Sequence, residues 1–592
     1  MTGNATARQK VALLSVYSKE GIVDFASQLV SLGWQILASG GTCRHLQRAG
    51  VEVGDVADML LESFVIQAQL GGITFSEKPD DIPMMMRRMR ESGMDAGAIL
   101  GHRVVTLSRE VHAGLLARDC EEDQSELDRL GILRIDLVCC DFYPLAAEIA
   151  KPDATIESVV EQTDIGGPTM VRSAAKGGRI VICDPADRQT VIDQLRQNGN
   201  VDEKTRQYLR AKAEYIVAGY CLDSARFHSD GKFDGMVGQA ERQLAYGENR
   251  DQSPATLFTN LSPQPKDPLA LRNFTVVSGD PSYISYADGH RVLAIMRLLA
   301  EACRRNFGKV PYIAIACKHA NPCGVGVDWD NPVDALQKAF FGDTVAVMGA
   351  EIVVNFPVSD NISEALFAVP DRDLPIVGRK NWGVDVVFAP NFSEASITLL
   401  GKRERRRLLA NPALLDPPMP PALWMVRPVD DGWIKQLAPH FVFDRSDETI
   451  EWLPAANPLM TSPSFIDLMI AWAAAWRAIS NTVALAQAGM LIGLGCGQQD
   501  RIACVQLCLD RAKRSGHQTQ GSIFASDGFF PYAKRKQESD PLEGPELLVQ
   551  AGCIGGVVPA DGNKLSEVQA FFASSGLGVA YVSKEHRGFF GH

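Results

Sequence analysis

Lys318 and His319 stand side by side at the end of the apolar run Tyr312-Ile313-Ala314-Ile315-Ala316-Cys317 and ahead of Ala320-Asn321-Pro322-Cys323-Gly324-Val325-Gly326. A lysine next to a histidine sets a fixed positive charge beside a group that takes or gives a proton near neutral pH. A β-rich apolar run that closes on this pair, then on Asn-Pro and glycines, reads as a buried strand delivering both groups to a loop. Two solvated polar residues at a strand end is the plainer reading of the dipeptide alone. The rest of the chain has to decide between them.

At 592 residues the chain exceeds what one core usually supports, and two or more domains are expected. The net charge of -12 argues against a broad nucleic-acid-binding face, and the basic run Arg403-Glu404-Arg405-Arg406-Arg407 reads as a solvated helix face. Thirteen cysteines without paired CxxC spacing fit reduced thiols in the cytoplasm and no metal site. The polar start, Met1 to Lys10, lacks the long apolar core of an export signal. The most apolar segment, Phe465 to Leu494, is interrupted by Asp467, Arg477, Asn481 and Gln487, which favours a buried helix followed by a strand over a membrane span. No internal repeat is visible.

The first part of the chain alternates β and α patterns. Val11 to Val16 is a buried-strand run, Gly21 to Leu29 has helical periodicity, and Gln35 to Ala38 is a second strand running into Ser39-Gly40-Gly41-Thr42. Small and hydroxyl residues at a helix start expose backbone N–H groups to an anion, so a phosphate fits there. Asp136 to Cys140 reads as another strand, and Thr163 to Lys176 as a turn entering a helix. Repeated βα units imply a mostly parallel sheet with ligands at the carboxyl ends of its strands. Read for structure alone, Asp164 is a helix N-cap and Lys176 a cation in the last turn.

These residues carry a resemblance. Ser15, Lys19, Ser39-Gly40-Gly41-Thr42, Val104 to Gly114, Tyr143-Pro144 and Asp164-Ile165-Gly166-Gly167-Pro168-Thr169-Met170-Val171-Arg172-Ser173-Ala174-Ala175-Lys176 resemble the IMP cyclohydrolase domain of the bifunctional purine-biosynthesis PurH family. Ala245-Tyr246-Gly247-Glu248-Asn249, Cys317 to Gly326, Ser480-Asn481-Thr482, Gly495 to Arg501 and Ala525 to Pro531 are similar, in the same order, to the formyltransferase half of that family. The resemblance implies an α/β protein with an N-terminal methylglyoxal-synthase-like parallel-sheet domain over 1–200. A larger C-terminal domain, 201–592, would consist of cytidine-deaminase-like α/β subdomains without the deaminase zinc. It implies formyl transfer from the co-substrate 10-formyltetrahydrofolate to the amine of aminoimidazole carboxamide ribonucleotide (AICAR), followed by closure to the inosine ring. It also implies a homodimer with shared sites, acting on nucleotide and folate and not on nucleic acid or membrane.

By the same resemblance His319 is the base, Lys318 and Asn481 stabilise developing charge, and Asp527 orients folate or substrate. Phe529 and Phe530 wall the pocket, and Tyr246, Gly247, Gln498 and Arg587 belong to substrate binding. In the first domain Tyr143, Asp164 and Lys176 occupy catalytic positions, with Ser15, Lys19, Ser39, Gly41, Thr42, Arg103 and Thr106 around the nucleotide phosphate. The departures bear on substrate. Val105 and Ser108 replace a Lys and a His of the family, Asp141 an Asn, and Ala245 an Arg. Val105 can neither donate a hydrogen bond nor carry charge. The segment 60–101, with Met84-Met85-Met86-Arg87-Arg88-Met89-Arg90, is longer than the family's connection and reads either as a source of replacement arginines or as an inserted surface helix. Two further readings are a formyltransferase for another amine in a specialised pathway and a non-catalytic binding homologue. Retention of Lys318, His319, Asn481 and Asp527 speaks against the last.

Overall fold

A computed structural model describes residues 8–70, 104, 106–260, 267–369, 381–420, 424–438, 440–454, 459 and 464–588. Arg103, Val105 and the Met-rich stretch 84–90 lie outside these. The chain divides into two compact units, Met1–Gly238 and Gln239–His592.

The first unit is built on five parallel strands in the order Gly54–Asp55, Gln35–Ala38, Val11–Ser15, Leu137–Cys140 and Ile180–Ile182. Alternate residues of the central strand enter two different cores, Ala12 and Leu14 one, Val11 and Leu13 the other. This is why these runs are continuously apolar instead of alternating. With helices on both faces, the polar residues Ser15, Ser39 and Asp141 are left at the carboxyl ends of three neighbouring strands. The long helix Glu203–His228, whose N-cap Asp202 accepts from the Thr205 N–H at 2.7 Å, packs on strand Ile180–Ile182 and helix Gly166–Lys176. It accounts for the difference between a boundary at 200 and the division after Gly238.

The larger unit is α/β around a twelve-stranded mixed sheet. Its order is Glu451–Leu453, Gly578–Ser583, Gly555–Ala560, Ile523–Ser526, Val483–Gln487, Met490–Gly495, Asn321–Asp328, Tyr312–Lys318, Glu351–Val354, Val386–Ala389, Arg407–Ala410, Thr275–Ser278. From the centre outward each half repeats one pattern: an antiparallel hairpin, a strand antiparallel to it, two strands parallel to that one, and an antiparallel edge. Helices recur in matching places, Tyr283–Phe307 and Phe465–Arg477 before the hairpins, Pro332–Gly342 and Arg501–Arg514 after them. The architecture is therefore duplicated, a correction to the absence of a visible repeat: the halves share a pattern of elements and little of their residue sequence. Strands Asn321–Asp328 and Met490–Gly495 join the halves.

Two local expectations are also corrected. The glycines after Pro322 lie in strand Asn321–Asp328, not in a loop. An added Cβ at Gly324 would stand 1.8 Å from the Ala339 carbonyl oxygen, so glycine is what lets helix Pro332–Gly342 approach. The run 403–407 is not a solvated helix face. Arg406 is 2% exposed, donates to the carbonyls of Val384 and Leu400 at 2.9 Å, and Arg407 begins a strand. Among the described residues no helix is long and apolar enough to cross a membrane.

Candidate functional site

In the larger unit, Lys318 pairs with Asn321, so only His319 and Ala320 connect the two strands. Both have positive φ, 52° and 62°. Two-residue hairpin turns of this left-handed kind are normally filled by Asn-Gly or glycine, because a side chain crowds the backbone there. Strain of this type, about 1–3 kcal/mol per residue, persists only where surroundings enforce it and collects at functional sites. Here the Asp288 carboxylate accepts the Ala320 N–H at 2.8 Å and also the His319 N–H. Asn321 Nδ2 donates to the His319 carbonyl at 3.0 Å, and Lys318 Nζ to the Met348 carbonyl at 2.7 Å. The His319 side chain is left exposed at the tip.

Asn321 also ties this tip to the loop after helix Phe465–Arg477, because its Oδ1 accepts the Ile479 N–H at 3.1 Å. Asn481 in that loop donates through Nδ2 to the Gln498 carbonyl at 2.8 Å, and its Oδ1 accepts from Arg501 Nη2 at 2.8 Å. Arg501 Nη1 reaches Asp527 Oδ1 at 2.5 Å and the Thr482 carbonyl at 3.1 Å, while Ser480 Oγ donates to Asp527 Oδ2 at 2.6 Å. Lys318, His319, Asn481, Gln498 and Asp527 thus belong to one hydrogen-bonded neighbourhood. Asp527 is 0% exposed and its oxygens are taken by Arg501, Ser480 and the Thr482 N–H. In this structure it holds the loop and Arg501.

The other expected binding residues divide. Phe529 packs at Gly562, where an added Cβ would be 2.6 Å from its ring. Phe530 is corrected from pocket wall to core: it is 2% exposed and meets Phe524 and Phe572 edge-on, at 6.3 and 6.0 Å between ring centres. Arg587 is ion-paired with Asp561, a carboxylate that any bound anion would have to displace. Tyr246, beside Ala245, has the Arg407 guanidinium 6.0 Å from its ring centre and 3.4 Å from its hydroxyl. Gly247 donates its N–H to the Gln252 carbonyl at 2.7 Å. Residue typing passed over Arg501, although it closes a quoted motif, and Asp288, which lies in a polar stretch of helix with no local signal.

In the first unit, Ser15 Oγ and Ser39 Oγ are 2.8 Å apart, and Thr42 Oγ1 donates to the Val16 carbonyl at 3.1 Å. Lys19 Nζ lies 3.4 Å from Thr42 Oγ1 and bonds the Val16 carbonyl; burial lowers its pKa, against an opposing pull from Asp141. The space beside Gly41 is open. Asp141 accepts the N–H groups of Tyr17 and, at 3.2 Å, Ser18. The Tyr17 and Tyr143 rings stand edge to face at 5.6 Å. Asp164 accepts the Gly167 N–H at 2.8 Å at the start of helix Gly166–Lys176; burial raises its carboxyl pKa, and the N–H groups of Gly167, Tyr143 and Gly166 partly offset this. Thr106 Oγ1 abuts Gly166. Ser108 is the N-cap of helix Arg109–Leu116, accepting from Val111 N at 3.1 Å.

Lys176 is not part of this cluster. It is exposed at the far end of the eleven-residue helix that Asp164 opens, about 15 Å along its axis at 1.5 Å per residue. A cleft of about 660 Å³ is lined by both, with Arg172, Glu214 and Tyr220 between.

Residues 174–511 match the family described as AICARFT/IMPCHase bienzyme, and residues 21–169 match the MGS-like domain. A bifunctional purine biosynthesis protein PurH of Anoxybacillus flavithermus is 30% identical over 586 residues, covering 96% of this chain and 98% of its own length. The protein of the same name from Chlorobaculum parvum is 30% identical over 98% of each chain. A solved structure titled "Crystal structure of ForH" is 32% identical, covering 37% of this chain and all of its own, with a TM-score of 0.28.

Proposed function

Since the chain belongs to the AICARFT/IMPCHase bienzyme family as a divergent PurH-type member, we propose that its larger unit transfers the formyl group of 10-formyltetrahydrofolate to the amine of AICAR and its first unit closes the ring. The observation that carries this is the left-handed His319 at a hairpin tip, bonded through Asn321 to the loop that holds Asn481 and Arg501. As the amine nitrogen attacks the formyl carbon, His319 takes its proton and returns one to N10 as the bond from N10 to that carbon breaks. Lys318 and Asn481 stabilise the negative charge on the formyl oxygen. Asp527 positions Arg501 and the loop.

In the first unit the Ser15, Lys19, Ser39 and Thr42 group receives the nucleotide phosphate, with Tyr143 and Asp164 at the closing ring. Lys176 serves the opposite end of a ligand lying along the cleft. The active form is a homodimer in the cytoplasm with shared transformylase sites. Support for pairing comes from the hairpin Trp424–Val429 and Gly432–Leu437, whose Trp424, Ile434 and Leu437 side chains are exposed.

Purified protein incubated with 10-formyltetrahydrofolate and AICAR should yield tetrahydrofolate and formyl-AICAR, then inosine monophosphate. His319→Ala should abolish the first step while leaving ring closure of added formyl-AICAR intact. Wild-type turnover of another amine and none of AICAR would overturn the assignment.

A further inference from the structure

On the reading that His319 is the base of formyl transfer, we propose that Asp288 is its positioning residue and that Glu351 serves Asp288 as a neutral carboxyl partner. Asp288, in helix Tyr283–Phe307, is 3% exposed, and its carboxylate accepts the N–H groups of both left-handed residues of the turn. Glu351 opens strand Glu351–Val354, stands opposite Cys317 on the strand that ends in Lys318, and is 6% exposed. Its carboxyl meets that of Asp288, and its buried Oε2 faces no hydrogen-bond donor of another residue among those described. Two carboxyls in contact out of water cannot both stay ionised, so one keeps its proton. Burial first, and then the charge of Asp288, pushes the Glu351 carboxyl up, and because Asp288 already accepts N–H groups of the turn, Glu351 is the protonated member and the donor.

The groups facing this pair come from every neighbouring element. His319 lies on the turn and Cys317 and Cys323 on its two strands; around these cysteines stand Arg291 of the helix, Lys318 at the strand end and Asp343 after helix Pro332–Gly342. Asp385 precedes strand Val386–Ala389 and is ion-paired with Arg403 at 2.9 Å. No cation bonds Glu351 directly among the described contacts. Ionisation of Glu351 therefore removes the donor from Asp288 and sets a like charge against it, loosening the hold on the turn as pH rises.

The duplicated half supplies an internal control. Its hairpin tip is Ala488-Gly489, also left-handed, and Asp467 in the matching helix accepts both N–H groups at 3.0 and 2.6 Å. The strand residue matching Glu351 is Ile523, opposite Ala486. An aspartate clamping a hairpin tip is thus common to both halves. The second carboxyl and the histidine occur only in the first.

The test uses the full chain. Formyl transfer from 10-formyltetrahydrofolate to AICAR is followed across pH in wild type, Asp288→Ala, Asp288→Asn, Glu351→Gln and Asp467→Ala. In parallel, ¹³C-labelled histidine reports the His319 ring, assigned with His319→Gln. We expect Asp288→Ala to lower kcat about 100-fold with KM for AICAR within about two-fold, the size of loss that an ångström-scale misplacement brings. The His319 cross-peak should move. Asp288→Asn, which keeps one acceptor, should restore part of the rate, and Glu351→Gln should keep the neutral-pH rate while abolishing the alkaline fall. Asp467→Ala should lower the melting temperature but leave kcat and the cross-peak unchanged. An unmoved cross-peak in both Asp288 variants, an alkaline fall shared by Glu351→Gln and wild type, or an equal kcat loss in Asp467→Ala would each overturn the proposal. If wild type fails to transfer formyl groups, the formyl-transfer reading falls, and the cross-peak still decides whether Asp288 holds His319.

Discussion

Asp141 places a fixed carboxylate at the spot where the loop N–H groups of Tyr17 and Ser18 converge. Those donors, with Lys19 and Thr42 nearby, are what a phosphate would seek, so the protein satisfies them with its own anion. Burial pushes the Asp141 carboxyl up, while the two N–H bonds hold it down. Asp141→Asn keeps an acceptor and removes the charge. It should strengthen inosine monophosphate binding to the first unit about tenfold, roughly 1.4 kcal/mol, read by calorimetry. Unchanged affinity would show that this charge does not limit phosphate binding. Ser108 illustrates a substitution whose structural role is plain: it caps a helix, a contribution of about 1 kcal/mol that a histidine side chain would not supply in the same way.

Glycines fix how closely strand and helix approach in the larger unit. Added Cβ atoms at Gly324 and Gly493 would lie 1.8 and 2.7 Å from the carbonyl oxygens of Ala339 and Cys508, equivalent contacts in the two halves. Gly324→Ala should cost about 1–3 kcal/mol of stability, seen as a lower melting temperature. Gly41→Ala, in a helix with open space beside it, should be neutral or stabilise by up to about 1 kcal/mol. This is also where reading the sequence reaches its limit. Continuous apolar runs such as Val11 to Val16 announce parallel strands, and short motifs mark Lys318, His319, Asn481 and Asp164, because chemistry there depends on side-chain identity. The role of Gly324 depends on a helix several residues later, and that of Asp288 on a turn 31 residues away, so neither leaves a local pattern. Phe530 shows the converse: aromatic type fits both a pocket wall and a core, and only packing separates them. For Lys176, the motif joins residues that the helix then holds apart.

At the scale of the whole molecule, exposed Trp424, Ile434 and Leu437 on one hairpin are more apolar surface than a lone two-stranded ribbon usually leaves to water. Trp424→Asp combined with Ile434→Lys should convert the proposed dimer to monomer in sedimentation experiments and lower formyl transfer. A wild-type protein that sediments as a monomer would refute the pairing. The duplicated sheet has another consequence, one for the order in which the chain acquires its structure. Strands of the first half all lie between residues 275 and 410, and those of the second between 451 and 583, with the Gly326–Met490 pairing as the strand contact that joins them. Each half can thus complete its own pairings while still on or just off the ribosome, before the seam closes. Two such similar edges also expose a newly made chain to closing that seam with a neighbour's half in place of its own.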